Sequence, residues 1–105
     1  MKTTKDLVSI VIPTYNRKRD VDICIKTIKK QSYKKTEIIV VDDYSTDGTA
    51  GFLKKKYSEI KVLRNKKNSG PNHSINYGIV KSKGEYILIL DSDVELTNTN
   101  QIKNM

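Results

Sequence analysis

The chain has 105 residues, 20 Lys plus Arg against 12 Asp plus Glu, one Cys and no Trp, giving a formal charge of +8. This length allows one domain, whose core removes only about 60–65% of the unfolded surface from water. The apolar fraction of 36% is low, but the apolar residues cluster in β-branched runs, which excludes a disordered chain. The lone Cys24 excludes an intrachain disulfide scaffold and a Cys-based zinc site. No run approaches the ~18 apolar residues of a membrane span and the N-terminus is polar, so the sequence reads as soluble and cytoplasmic.

Taken in chain order, four short runs rich in Ile and Val stand out: Leu7–Ile12, Glu37–Val41, Ile60–Leu63 and Tyr86–Leu90. Near-continuous apolarity of this length predicts strands covered on both faces, as in a parallel sheet. Between the first two, Val21, Cys24 or Ile25, and Ile28 recur at helical spacing within Asp20–Lys30, with lysines opposite. After the second, Asp47 is placed to cap a short helix whose face carries Ala50, Leu53 and Tyr57. After the third, Pro71 suits the first turn of a helix carrying Ile75 and Ile79 and closing near Lys81–Gly84. Strand and helix alternate three times before a fourth strand, which predicts right-handed crossovers and a doubly wound, mostly parallel α/β sheet. The tail, Thr97–Met105, is polar, is expected to have no partner element, and reads as truncated.

In open parallel sheets, ligands bind beyond the carboxyl ends of the strands, where strand order reverses. Those ends carry Pro13-Thr14-Tyr15-Asn16-Arg17, then Asp42-Asp43-Tyr44-Ser45-Thr46-Asp47-Gly48, then Arg64 through Gly70, then Asp91-Ser92-Asp93. Acidic clusters at one edge of a basic protein repel unless neutralised, and a divalent cation held by oxygen ligands, Mg²⁺ or Mn²⁺, is a common remedy. For Asp42, Asp43 and Asp47 the alternative is a turn-forming or helix-capping role. Asp91 and Asp93, directly after an Ile-Leu-Ile-Leu strand, fit a ligand role better. No Gly-x-Gly-x-x-Gly follows the first strand and there is no Gly-x-x-x-x-Gly-Lys, which excludes a dinucleotide site and a Walker-type phosphate loop. Instead the first loop offers an aromatic ring, Tyr15, and one guanidinium, Arg17.

Together these segments resemble the N-terminal half of glycosyltransferase family 2, the GT-A-fold group of nucleotide-sugar-dependent transferases. The resemblance covers Val8 to Glu95 and rests on Ser9–Arg17, Gln31-Ser32-Tyr33, Glu37–Thr49, Asn68-Ser69-Gly70, Asn76-Tyr77-Gly78-Ile79, Gly84–Ile87 and Asp91-Ser92-Asp93. It implies that residues 1–105 form the donor-binding part of such a domain, a Rossmann-like half of a GT-A fold. By the same resemblance Pro13, Thr14, Tyr15 and Arg17 line the pocket of a UDP- or dTDP-sugar, with Tyr15 beside the base, and Gly70 belongs to the same nucleotide-sugar site. Asp43 accepts the imide N–H of the base. Asp93 binds Mn²⁺ or Mg²⁺ directly, while Asp91 meets ribose, sugar or metal and Ser92 lies between them. The third loop departs from the family pattern. Ser74-Ile75-Asn76 stands where Ala-Arg-Asn is usual, leaving His73 as the only titratable group. The catalytic base and the acceptor half are expected beyond Met105, with a glycan or lipid-linked acceptor and peripheral membrane contact for the intact protein.

Three other readings compete. A non-catalytic nucleotide-binding fragment or scaffold would use the same site. A haloacid-dehalogenase-like phosphatase would make Asp91 of Ile87–Val94 a nucleophile, but it needs downstream motifs that the 12 residues after Asp93 cannot carry. Nucleic-acid binding is disfavoured because 17 of the 20 basic residues are Lys, scattered over helix faces and loops rather than striped with aromatics.

Overall fold

The computed structural model describes residues 3–105. Seven elements alternate along it: β1 (Thr4–Thr14), α1 (Lys18–Lys29), β2 (Thr36–Asp42), α2 (Thr49–Lys56), β3 (Lys61–Arg64), α3 (Pro71–Lys81) and β4 (Gly84–Ile89). All strand pairs are parallel, in the order β3-β2-β1-β4. The chain thus winds outward from β1 through β2 to β3, then returns across the sheet to place β4 on the other side of β1. The doubly wound α/β expectation holds.

Side-chain alternation sorts the layers. Ile10 and Ile12 of β1 and Ile38 and Val40 of β2 point toward α1 and α2, packing with Val21, Cys24, Ile25, Ile28 and Leu53. Val11, Ile39 and Val41 point the other way and, with Leu63 and Tyr77, form a smaller cluster under α3. α1 presents the predicted stripe, with Val21, Cys24, Ile25 and Ile28 all buried. Its opposite face carries Lys26 and Lys29, which suit the negative end of the helix dipole. α2 is tied to α1 at the surface, where Asp22 accepts from Lys56 Nζ (2.9 Å) and Tyr57 OH (2.5 Å).

Two expectations need correction. α3 does start with Pro71, but its buried positions are Ser74 and Gly78, not Ile75 and Ile79, which are half-buried. A Cβ at Gly78 would collide with Val11 Cγ1 and lie 3.2 Å from Val41 Cγ2. Small residues let the helix axis drop onto β1 and β2, and the isoleucines are left to its flanks. For the same reason β4 is not covered on both faces. Its Ile87 and Ile89 pair with Ser9 and Val11 on the α3 side, yet each remains 43% exposed, because α3 sits over β1 and β2 instead.

The tail is the third correction. Leu96 and Ile102 are buried in the large cluster. Leu96 N–H donates to Thr27 Oγ1 (3.0 Å), Gln31 Nε2 to Asn98 O (2.8 Å), and Ile102 N–H to Gln31 Oε1 (3.0 Å). The fully buried Gln31 supplies the partner that polarity alone did not reveal.

The Gly78 contact is testable. Gly78→Ala gains helix propensity but overpacks the α3 face, and should lower stability by about 1–3 kcal/mol in urea titration. A stabilised variant would show that α3 can lift off the sheet freely.

Candidate functional site

The switch point lies at the carboxyl end of β1, between the loop that leaves toward α1 and the segment that follows β4. A cavity of about 420 Å³ opens there. It is lined by Pro13, Thr14, Tyr15 and Arg17 after β1, Asp43 after β2, Pro71 and Ser74 of α3, and Asp91, Ser92 and Asp93 after β4. Of the nine site residues expected from sequence, eight share this cavity. Gly70 does not line it, but touches it through Asp43.

Local chemistry fixes each wall. Asn16, between Tyr15 and Arg17, has φ +51°, a conformation that Asn tolerates better than most residues. There its N–H donates to Ser45 Oγ (2.8 Å) and its Oδ1 accepts from Thr46 N–H (2.8 Å). These two bonds clasp the first loop to the second, leaving Tyr15 47% exposed at the rim. Arg17 projects into solvent and pairs with Asp20 at 3.3 Å, a contact weak enough to yield to a ligand anion. Thr14 Oγ1 is buried in the cavity wall and has no hydrogen-bond partner among the described residues.

The acidic residues after β2 divide by environment. Asp42 is buried and structural: it accepts from Ser45 N–H and Oγ and from Arg64 Nε (3.3 Å). Asp47 precedes Gly48, which is the N-cap of α2, and its carboxylate takes Thr49 N–H and Oγ1 at the start of that helix as well as Lys18 N–H at the start of α1. It joins two helix N-termini, and neither Asp42 nor Asp47 lines the cavity. Asp43 alone of the three does. Its Oδ1 accepts from Asn65 Nδ2 (2.8 Å) and Ser69 N–H (2.7 Å), and its Oδ2 from Gly70 N–H (2.9 Å). Burial pushes its pKa up. The bonds from Ser69, Asn65 and Gly70 and the nearby His73 outweigh that, so the carboxyl sits below its ordinary 3.8. His73 itself is exposed on α3.

Asp91 and Asp93 contrast with these. Both are exposed, on a turn closed by Val94 N–H to Asp91 O (3.1 Å), and no hydrogen bond to protein occupies their side chains among the described residues. Cys24 lies beneath them, where burial, with Asp93 nearby, pushes its thiol up to about 11 and keeps it protonated. Sequence reasoning missed Asn65, Pro71 and Ser74. Pro71 had a structural reading, Ser74 only a place in the departing motif, and no signal marked Asn65.

The sequence profile of glycosyl transferase family 2 matches residues 9–105. The chain belongs to glycosyltransferase family 2. It is 36% identical over 104 residues to glycosyltransferase GlyG of Streptococcus pneumoniae, covering 95% of this chain and 34% of that protein. Against the poly(ribitol-phosphate) beta-glucosyltransferase of Bacillus spizizenii it is 44% identical over 92 residues, covering 82% and 14%. The chain therefore spans about a third or less of these relatives. The crystal structure of S. aureus TarS 1-349 in complex with UDP matches with a TM-score of 0.84 at 32% identity, over 99% of this chain and 30% of that one. A mannosyltransferase from Pyrobaculum calidifontis in complex with GDP-Man and Mn²⁺ matches with a TM-score of 0.81 at 26% identity, over 88% and 29%. These likenesses establish the GT-A-type fold. The family match also takes in Asp91-Ser92-Asp93, which the phosphatase reading would have used.

Among the described residues, no three His, Cys, Asp or Glu side chains gather as a metal cluster. The donor set nevertheless suits Mg²⁺ or Mn²⁺, which bind through one or two carboxylates and complete their shell with substrate phosphates and water. Asp91 and Asp93 are the two free carboxylates in the cavity wall. Among the described residues, no helix is long and apolar enough to cross a membrane.

The lowered pKa values of Asp43 and Asp47 set an acid limit. A depressed folded-state pKa adds stability above the unfolded value and loses it as pH falls through the folded one. Urea midpoints should therefore drop below about pH 4, and drop less steeply in Asp43→Asn. Equal slopes would mean that the Asp43 hydrogen bonds do not favour the ionised form.

Proposed function

We propose that this chain is the donor-binding part of a nucleotide-sugar-dependent glycosyltransferase, holding a UDP- or dTDP-sugar and a divalent cation for transfer to an acceptor hydroxyl. The observation that carries this reading is the convergence of Tyr15, Arg17, Asp43, Asp91 and Asp93 on one cavity at the switch point. Related solved structures in complex with UDP and with UDP-GlcNAc support it.

In this reading Tyr15 offers its exposed ring to the base and Asp43, buried and ionised, accepts the imide N–H. A base that lacks that donor leaves the remaining acceptor site of this carboxylate unfilled and is penalised. Thr14 Oγ1, which has no partner among the described residues, meets the nucleoside. Arg17 turns from Asp20 to the diphosphate. Asp93, with Asp91 beside it, holds Mn²⁺ or Mg²⁺, while Ser92 shapes the turn between them. When bound, the cation supplies neutralisation of the charge that develops on the departing nucleoside diphosphate. No residue of this chain is assigned to deprotonating the acceptor, which requires a base within direct or one-water reach. That step is assigned to an acceptor half, and the exposed apolar side of β4 is the seam against which such a half packs. A glycan or lipid-linked acceptor fits the relatives, among them the GalNAc(5)-diNAcBac-PP-undecaprenol beta-1,3-glucosyltransferase of Campylobacter jejuni, 39% identical over 92 residues. The lysines on α1 and α2 suit an anionic membrane surface.

Titration calorimetry with UDP and Mn²⁺ tests the site. Asp43→Ala and Asp93→Ala should each weaken binding by about tenfold or more, and chelating the metal should reproduce the Asp93 effect. Unchanged heats in both variants would overturn the assignment.

A further inference from the structure

Asn65 follows β3 and is 4% exposed. Its backbone N–H donates to Asp42 O (2.8 Å), extending the β2–β3 ladder by one residue. Its side-chain Nδ2 has two hydrogens and two acceptors, Asp43 Oδ1 (2.8 Å) and Ser74 Oγ (2.9 Å). Ser74 Oγ in turn donates to Gly70 O (3.1 Å). The amide orientation follows from this arrangement, since a carbonyl turned toward the carboxylate would be repelled. The cost is visible on the other side of the group, where Asn65 Oδ1 is buried with no hydrogen-bond partner among the described residues. A buried acceptor left bare is unfavourable by about 1–3 kcal/mol. A leucine of similar size would avoid that cost if filling space were the only requirement.

Counting acceptor positions shows what the amide achieves. An ionised carboxylate has about four lone-pair sites, two on each oxygen. Asn65 and Ser69 fill both on Asp43 Oδ1, and Gly70 N–H fills one on Oδ2. One site is left in the cavity. Uracil and thymine present a single imide N–H, whereas guanine presents N1–H and N2–H side by side, a pattern that a free carboxylate accepts with both oxygens.

We infer that Asn65 is a positioning residue that sets base selectivity: by occupying Oδ1 with Ser69, it leaves Asp43 one acceptor and matches the site to a base edge with one N–H. The inference rests on the donor-binding reading of this cavity. Without the Asn65 donor, Ser69 N–H still holds Oδ1 and Gly70 N–H still holds Oδ2, and each oxygen is left with one open acceptor site.

The test uses the 105-residue chain with Mn²⁺ and calorimetric titration of UDP and GDP. Asn65→Leu should lower the UDP-to-GDP affinity ratio about tenfold, through weaker UDP binding and unchanged or tighter GDP binding. Asn65→Ser, whose hydroxyl retains one donor, should fall between. If Asn65→Leu does not fold, Ser74→Ala removes the other anchor of the amide and should lower the ratio about threefold. A purely structural role would weaken both nucleotides equally and leave the ratio unchanged. If Asp43→Ala weakens UDP binding while every folded Asn65 and Ser74 variant keeps the wild-type ratio, the inference is overturned and the donor reading stands. If Asp43→Ala leaves UDP affinity untouched, the donor reading fails and this inference fails with it.

Discussion

Two parallel strands can be joined only by a crossover that runs over one face of the sheet, and this chain uses the two faces in turn. α1 and α2 cross on one side while the chain steps from β1 to β3, and α3 crosses on the other as it returns to β4. Because both excursions start or end beside β1, the loops after β1 and β4 diverge and nothing fills the space between their carboxyl ends. The cavity is a product of winding direction. The buried β1–β2 pair, with Ile10, Val11, Ile12, Ile39, Val40 and Val41 all shielded from water, supplies the rigid floor on which it stands.

Placing carboxylates around that opening creates a charge problem that is met in two ways. Asp42, Asp43 and Asp47 are supplied with donors from the fold itself: backbone N–H groups, hydroxyls, an amide and Arg64. Asp91 and Asp93 are left to solvent. The first set is held in one geometry, and the second keeps its oxygens unoccupied by donors from the fold. A basic surface of scattered lysines surrounds both, so the net charge of the chain hides a local negative centre.

How much of this could be read from sequence depended on whether a residue's role was local. The strand cores, the α1 stripe and Pro71 at the start of α3 follow from short-range pattern and emerged at nearly the right boundaries. Eight of the nine expected site residues meet at the cavity because strand ends in a doubly wound sheet must converge there. Ser74 and Gly78 defeated a hydrophobicity argument, since close helix–sheet approach selects small residues and displaces the isoleucines. Burial of β4 cannot be read from its apolar run, because strand composition does not say where a helix will sit. Gln31 and Asn65 are ordinary polar residues in sequence. Their importance comes from partners 67 and 22 positions away, and no local pattern encodes such pairings.

The Gln31 clamp bears on the thermodynamics of the acidic turn. Leu90 is fixed to Val11 O through its backbone N–H, and Leu96 and Asn98 are fixed to Thr27 and Gln31. The segment from Asp91 to Glu95 is thus a very short loop with both ends anchored to the core. A loop so constrained has already surrendered most of its conformational entropy on folding. Binding at this turn would have only the two exposed carboxylate side chains left to order, and little of the interaction energy would be consumed in ordering the backbone.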